Sequence, residues 1–124
     1  MSRLGFALSG LQAAFRNERS FRFQTLAAGI ALLTTLWLRP PAVWLALVVV
    51  MVALVLAAEL VNTALEHALD ALHPEQAVFV RIAKDCAAAS VLVLSLAAVA
   101  VFLLMLFEVF CRSSGCSGWI KNLQ

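Results

Sequence analysis

Charge is what this chain has least of. Only 13% of its 124 residues are Asp, Glu, Lys or Arg, against 64% hydrophobic, and the mean hydropathy is +0.98. That balance excludes an ordinary soluble domain and points to a single integral membrane domain. An excess of one sign is missing too. A net charge of +2 is too small to argue for a nucleic-acid partner, and the basic residues gather beside apolar segments, as membrane flanks do. There are no repeats, no low-complexity tracts and no linker long enough to separate domains. The start, Met1-Ser2-Arg3-Leu4-Gly5-Phe6, lacks the order of a signal peptide, so the first apolar segment is expected to stay in the mature protein. The two histidines, His67 and His73, have no HExxH spacing and no cysteine nearby, which argues against zinc. No Ser-His-Asp set is legible.

What is present is a series of charge-free runs. Residues 2–19 read as an amphipathic helix lying on the membrane surface. Leu4, Leu8, Leu11 and Phe15 fall within about 60° of one another, with Gln12, Arg16 and Arg19 beside them. Glu18 stands among Arg16, Arg19 and Arg22, where it is either a solvated ion pair or a ligand delivered to the interface. A first span, about 21–38, ends in Trp37-Leu38-Arg39-Pro40-Pro41, an aromatic anchor followed by helix breakers. A second, 41–70, is uncharged up to Ala58, about 28 Å of helix and close to the hydrocarbon thickness. His73-Pro74-Glu75-Gln76 then breaks the helix. A third span, 80–108, runs uncharged from Cys86 to Phe107. Four arginines precede the first span and only Arg39 follows it, which places the N-terminus in the cytoplasm. The tail, 109–124, then lies on the other side, where Cys111 and Cys116 are either bridged or two thiols on a frayed end. Cys86 reads as a small packing residue.

The chemistry sits where the second apolar run stops. At about 100° per residue, Glu59, Asn62, Glu66 and Asp70 share a helical face. A charge near the bilayer costs roughly 2.5–3.5 kcal/mol even on a lenient scale, so such a stripe needs a partner. Oxygen ligands with an amide between them suit a hard cation, Mg²⁺ above all, which keeps waters and also holds phosphate oxygens. With Lys84 and Asp85 from the third span and Glu18 from the surface helix, the inventory fits phosphoryl transfer: carboxylates for metal, a lysine for phosphate charge, one carboxylate for a hydroxyl proton. No Walker A sequence or Gly-rich phosphate loop is present, so a nucleotide would be held in an unusual way. The same groups serve equally well as ion pairs between helices, and the chain as a non-enzymatic assembly subunit.

The run Ala58-Glu59-Leu60-Val61-Asn62-Thr63-Ala64-Leu65-Glu66, then Asp70, then Ala83-Lys84-Asp85, resembles the signature of the prokaryotic diacylglycerol kinases, a family that includes undecaprenol kinases. Gly10-Leu11-Gln12-Ala13-Ala14-Phe15 with Glu18, Phe21 and Arg22 is similar to the family's surface helix. The resemblance implies an all-α homotrimer of three-span subunits with a surface helix and active sites shared between neighbours, in the bacterial inner membrane. It implies that Glu59 takes the lipid hydroxyl's proton and that Glu18 and Glu66 hold Mg²⁺. Nucleotide contacts would come from Glu18, Asn62, Glu66, Glu75, Lys84 and Asp85, with ATP as co-substrate. Lipid contacts would come from Ala13, Ala14, Phe21, Arg22, Trp37 and Glu59. Two positions depart from the pattern: Ala77 stands where some members carry histidine, and Phe6 where an aromatic hydroxyl is found. Both touch nucleotide recognition and leave the transfer groups in place. Diacylglycerol is the expected lipid, by Trp37-Leu38; Arg81 to Ala88 is closer to undecaprenol kinases, which makes undecaprenol the alternative.

Overall fold

Four helices account for nearly all of the described residues in the computed structural model, which describes residues 2–75, 77–115, 118 and 122. They are α1 (Arg3–Asn17), α2 (Arg19–Leu38), α3 (Ala42–Leu72) and α4 (Val78–Ser113). Among the described residues α2, α3 and α4 are long and apolar enough to cross a membrane. Each ends where its sequence stops supporting it. The α2 helix closes at Arg39, held in the left-handed region (φ 51°, ψ 54°) with its N–H on the Thr35 carbonyl. Pro40 and Pro41 then prevent continuation. At the end of α3, His73 caps by donating its N–H to the Leu69 carbonyl, and Pro74 blocks a further turn. The α1–α2 break has no such signal. Glu18 alone turns extended (φ −109°, ψ 114°), and the Arg22 guanidinium closes the corner by donating to the carbonyls of Phe15 and Arg16 at 3.5 and 3.1 Å. Those are the orphan acceptors of the α1 C-terminus.

The α3–α4 pair packs most extensively, α2 lies mainly against α3, and α1 touches both α2 and α3. Val48, Val55 and Glu59, seven and then four residues apart, give α3 one buried face. Large apolar side chains otherwise stand exposed along α2, α3 and α4, Trp37 at 81% and Leu33 at 69% among them. In a lipid solvent that exposure carries no penalty, and polar groups become the specific ties between helices. Gln24 Nε2 donates to Ser95 Oγ at 3.2 Å, joining α2 to α4, while Thr25 and Thr35 satisfy themselves on carbonyls one turn back.

The helix that carries the third span runs past Glu108, the expected end of that span. The α4 helix continues through Ser113, because Glu108 is not a terminator here. It accepts a hydrogen bond from the Trp44 indole of α3 and lies 3.5 Å from Arg112 one turn on. Cys111 is therefore helical and buried, while Cys116 lies outside the described residues, and with it the expectation of a bridge. Glu108→Ala should destabilise the bundle by roughly 1–3 kcal/mol, since it strips the indole of its acceptor. Thermal unfolding in detergent followed by circular dichroism checks this, with an unchanged midpoint showing that the tie contributes nothing.

Candidate active site

The acidic stripe of α3 divides its attention between two neighbours. Glu59 is 3% exposed, and its Oε1 accepts a 2.8 Å hydrogen bond from the Ser20 hydroxyl at the start of α2. One turn further along α3, Asn62 Nδ2 donates to Glu66 Oε1 at 3.2 Å. The Asn62 Oδ1 atom is buried and has no partner among the described residues. A further turn on, Asp70 meets Lys84 of α4 at 2.5 Å. That pair is solvent-facing on the Asp70 side (68% exposed), so it contributes little stability, roughly 0–1 kcal/mol. Over about 16 Å of helix the stripe passes from a desolvated carboxylate to a wet ion pair.

Glu18 occupies the α1–α2 corner, half-buried, where it helps line a cleft of about 520 Å³ between α1 and α3. Its other walls include Ala13, Ala14, Thr63, Ala64 and His67. The ion-pair reading of Glu18 is not realised. No cation lies within salt-bridge range of it among the described residues, and Arg22 is turned instead onto the α1 carbonyls. Asp85 and Glu75 are both exposed, Asp85 on α4 and Glu75 on the loop before it. Ala14 and Phe21 are buried at 3% and 4%. Trp37 lies about 25 Å along α2 from Ser20, at the far end from Glu59, so one chain does not bring these two together.

The chain thus joins Glu59 to Ser20, Asn62 to Glu66 and Lys84 to Asp70. Among the described residues it assembles no group of three acidic, histidine or cysteine side chains able to hold a metal. Ser20 and Gln24 carry no signal that sequence reading could have used, since their partners, Glu59 and Ser95, lie on other helices. The His67 Nδ1 lies 2.8 Å from the Thr63 carbonyl, and the ring forms part of the cleft wall.

A carboxylate kept in a nearly dry site beside an amide and a second carboxylate is an acid–base and cation-binding arrangement. The chain as a whole is matched in known proteins. Residues 5–106 match the family described as prokaryotic diacylglycerol kinase. The chain belongs to the prokaryotic diacylglycerol kinase family. Similar proteins include the diacylglycerol kinase of Escherichia coli (strain K12), 32% identical over 106 residues, which are 86% of this chain and 87% of that protein. The diacylglycerol kinase of Haemophilus influenzae is 35% identical over 88 residues, 71% of this chain and 75% of that protein. That of Synechocystis is 38% identical over 98 residues, 77% of this chain and 55% of that protein. As a member of this family the chain is a lipid kinase, which implies the use of ATP, typically with a divalent metal. The reading of the chain as a non-enzymatic assembly subunit is thereby set aside, while two ties of the polar stripe do join helices.

Proposed function

We propose that this kinase moves the γ-phosphoryl group of MgATP to the hydroxyl of diacylglycerol, giving phosphatidic acid, at the cytoplasmic face of the bacterial inner membrane. The observation that supports this best is the Glu59 carboxylate, buried at the point where α3 stops being purely apolar. A lipid hydroxyl is presented at that depth, and a base must meet it there. In the transfer, the lipid oxygen forms a bond to the γ-phosphorus and the bond from phosphorus to the bridging oxygen breaks. The hydroxyl proton passes to Glu59, and ADP leaves.

The donor set suits a hard cation. The unpartnered Asn62 Oδ1 beside Glu66 offers oxygen ligands, and Glu18 supplies a half-buried carboxylate from the corner. Two or three protein oxygens are what Mg²⁺ accepts when it keeps waters and phosphate oxygens. Bound there it would neutralise phosphate charge. Lys84, released from an exposed and weak pair with Asp70, is free to approach a phosphate, with Asp85 and Glu75 as the outer nucleotide contacts. Ala13 lines the cleft beside Glu18 and, with Arg22 and Trp37, forms the exposed lipid-facing set, while Ala14 and Phe21, expected there from the sequence, are buried within the chain. Asp85, Glu75 and Trp37 stand away from Glu59 within one chain, and the apolar flanks of the helices are open. A homotrimer with neighbours completing each site accounts for both, with the N-terminus and the 73–77 loop cytoplasmic and α1 lying on the surface.

The test is transfer of labelled phosphate from ATP in mixed micelles containing diacylglycerol or undecaprenol. The expected product is labelled phosphatidic acid. Labelled undecaprenyl phosphate alone would reassign the substrate, and no lipid-dependent transfer would remove the reading.

A further inference from the structure

We propose that Ser20 is a positioning residue for the proton-accepting carboxylate, a role that rests on the reading of Glu59 above. A glutamate reaches its carboxylate through rotatable bonds, and the last of these has a broad, two-fold preference. Burial alone therefore leaves the orientation of the two oxygens undetermined. The Ser20 hydroxyl determines it by donating to Oε1 at 2.8 Å, which leaves Oε2 without a partner among the described residues. A general base needs such an oxygen, with a lone pair aimed at the incoming hydroxyl. The same bond gives a 3% exposed anion one of the donors it lost on leaving water.

Ser20 also ties the site to its entrance. It stands in the first turn of α2, two residues beyond the corner where Glu18 lines the α1–α3 cleft. A short piece of chain thus carries one carboxylate for the cation and one hydroxyl for the base. A tie between helices would be a sufficient explanation if α2 had no other. It has one, because Gln24 reaches Ser95 one turn deeper. Removing that second tie separates a role in packing from a role at the carboxylate.

The experiment uses the full-length enzyme in mixed micelles of detergent and diacylglycerol with saturating MgATP. The variants are Ser20→Ala, Ser20→Thr, Ser95→Ala, Glu59→Gln and the double variant Ser20→Ala/Glu59→Gln. Ser20→Ala should lower kcat about tenfold, the scale of one hydrogen bond to a charged group, with KM for lipid and ATP within about twofold. Ser20→Thr, which keeps the hydroxyl, should restore most of the rate. Ser95→Ala should lower the unfolding temperature and leave kcat unchanged. In the Glu59→Gln background, Ser20→Ala should cost nothing further, because the group it orients is gone. A wild-type kcat in Ser20→Ala overturns the proposal, and so does the same loss with or without the Glu59 carboxylate. Where Ser20→Ala does not assemble, Ser20→Cys keeps the volume with a poor donor and should show the same kcat loss; wild-type kcat there is equally decisive against it. A fully active Glu59→Gln would instead remove the underlying assignment of the base, and is distinguished by that variant alone.

Discussion

Glu59→Gln is expected to lower turnover by roughly 10²–10⁴-fold, the usual contribution of a positioned general base. The substitution removes a proton acceptor and little else. Glutamine has nearly the same shape, and its amide oxygen can still accept the 2.8 Å bond from Ser20. The buried face formed with Val48 and Val55 is unaltered. Assembly and nucleotide binding should therefore survive, and the loss should fall on kcat rather than KM. Steady-state phosphoryl transfer with both substrates saturating is the measurement. A rate near wild type would mean that the lipid hydroxyl loses its proton elsewhere.

The second large effect concerns the cation. Glu66→Gln and Glu18→Gln should each weaken Mg²⁺-dependent nucleotide binding, and the double variant should lose less than the sum of the two, as two carboxylates proposed to serve one ion would. Glu66 is already joined to Asn62, and the orphaned Asn62 Oδ1 is the acceptor that a cation would satisfy. Losing Glu66 therefore disturbs two ligands, and its single variant should be the more severe. Calorimetric titration of the nucleotide at several Mg²⁺ concentrations reads the cycle. Fully additive losses would assign the two carboxylates to separate sites.

Much of this arrangement was legible in the chain because apolar runs and prolines are local signals. The spans of α2 and α3 follow from uncharged stretches, Arg39-Pro40-Pro41 and His73-Pro74, and the stripe of Glu59, Asn62, Glu66 and Asp70 follows from helical periodicity. Rotational phase between helices is not local. Nothing near Ser20 says that it meets Glu59, nor does Lys84 announce Asp70 as its partner. At Glu108 the charge that marks the expected end of the span does not end the helix, because an indole from α3 and an arginine one turn on keep the carboxylate satisfied within it. At Glu18 proximity in sequence suggested an ion pair, whereas Arg22 serves unpaired carbonyls at the corner.

The α4 helix, with 36 residues, is about 54 Å long, well beyond a hydrocarbon core of about 30 Å. The surplus must tilt or protrude, and the Lys84 end of α4 lies beside the Asp70 end of α3. That surplus is length enough for the turns that carry Asp70, Lys84 and Asp85 to stand outside the hydrocarbon, where their charges stay hydrated.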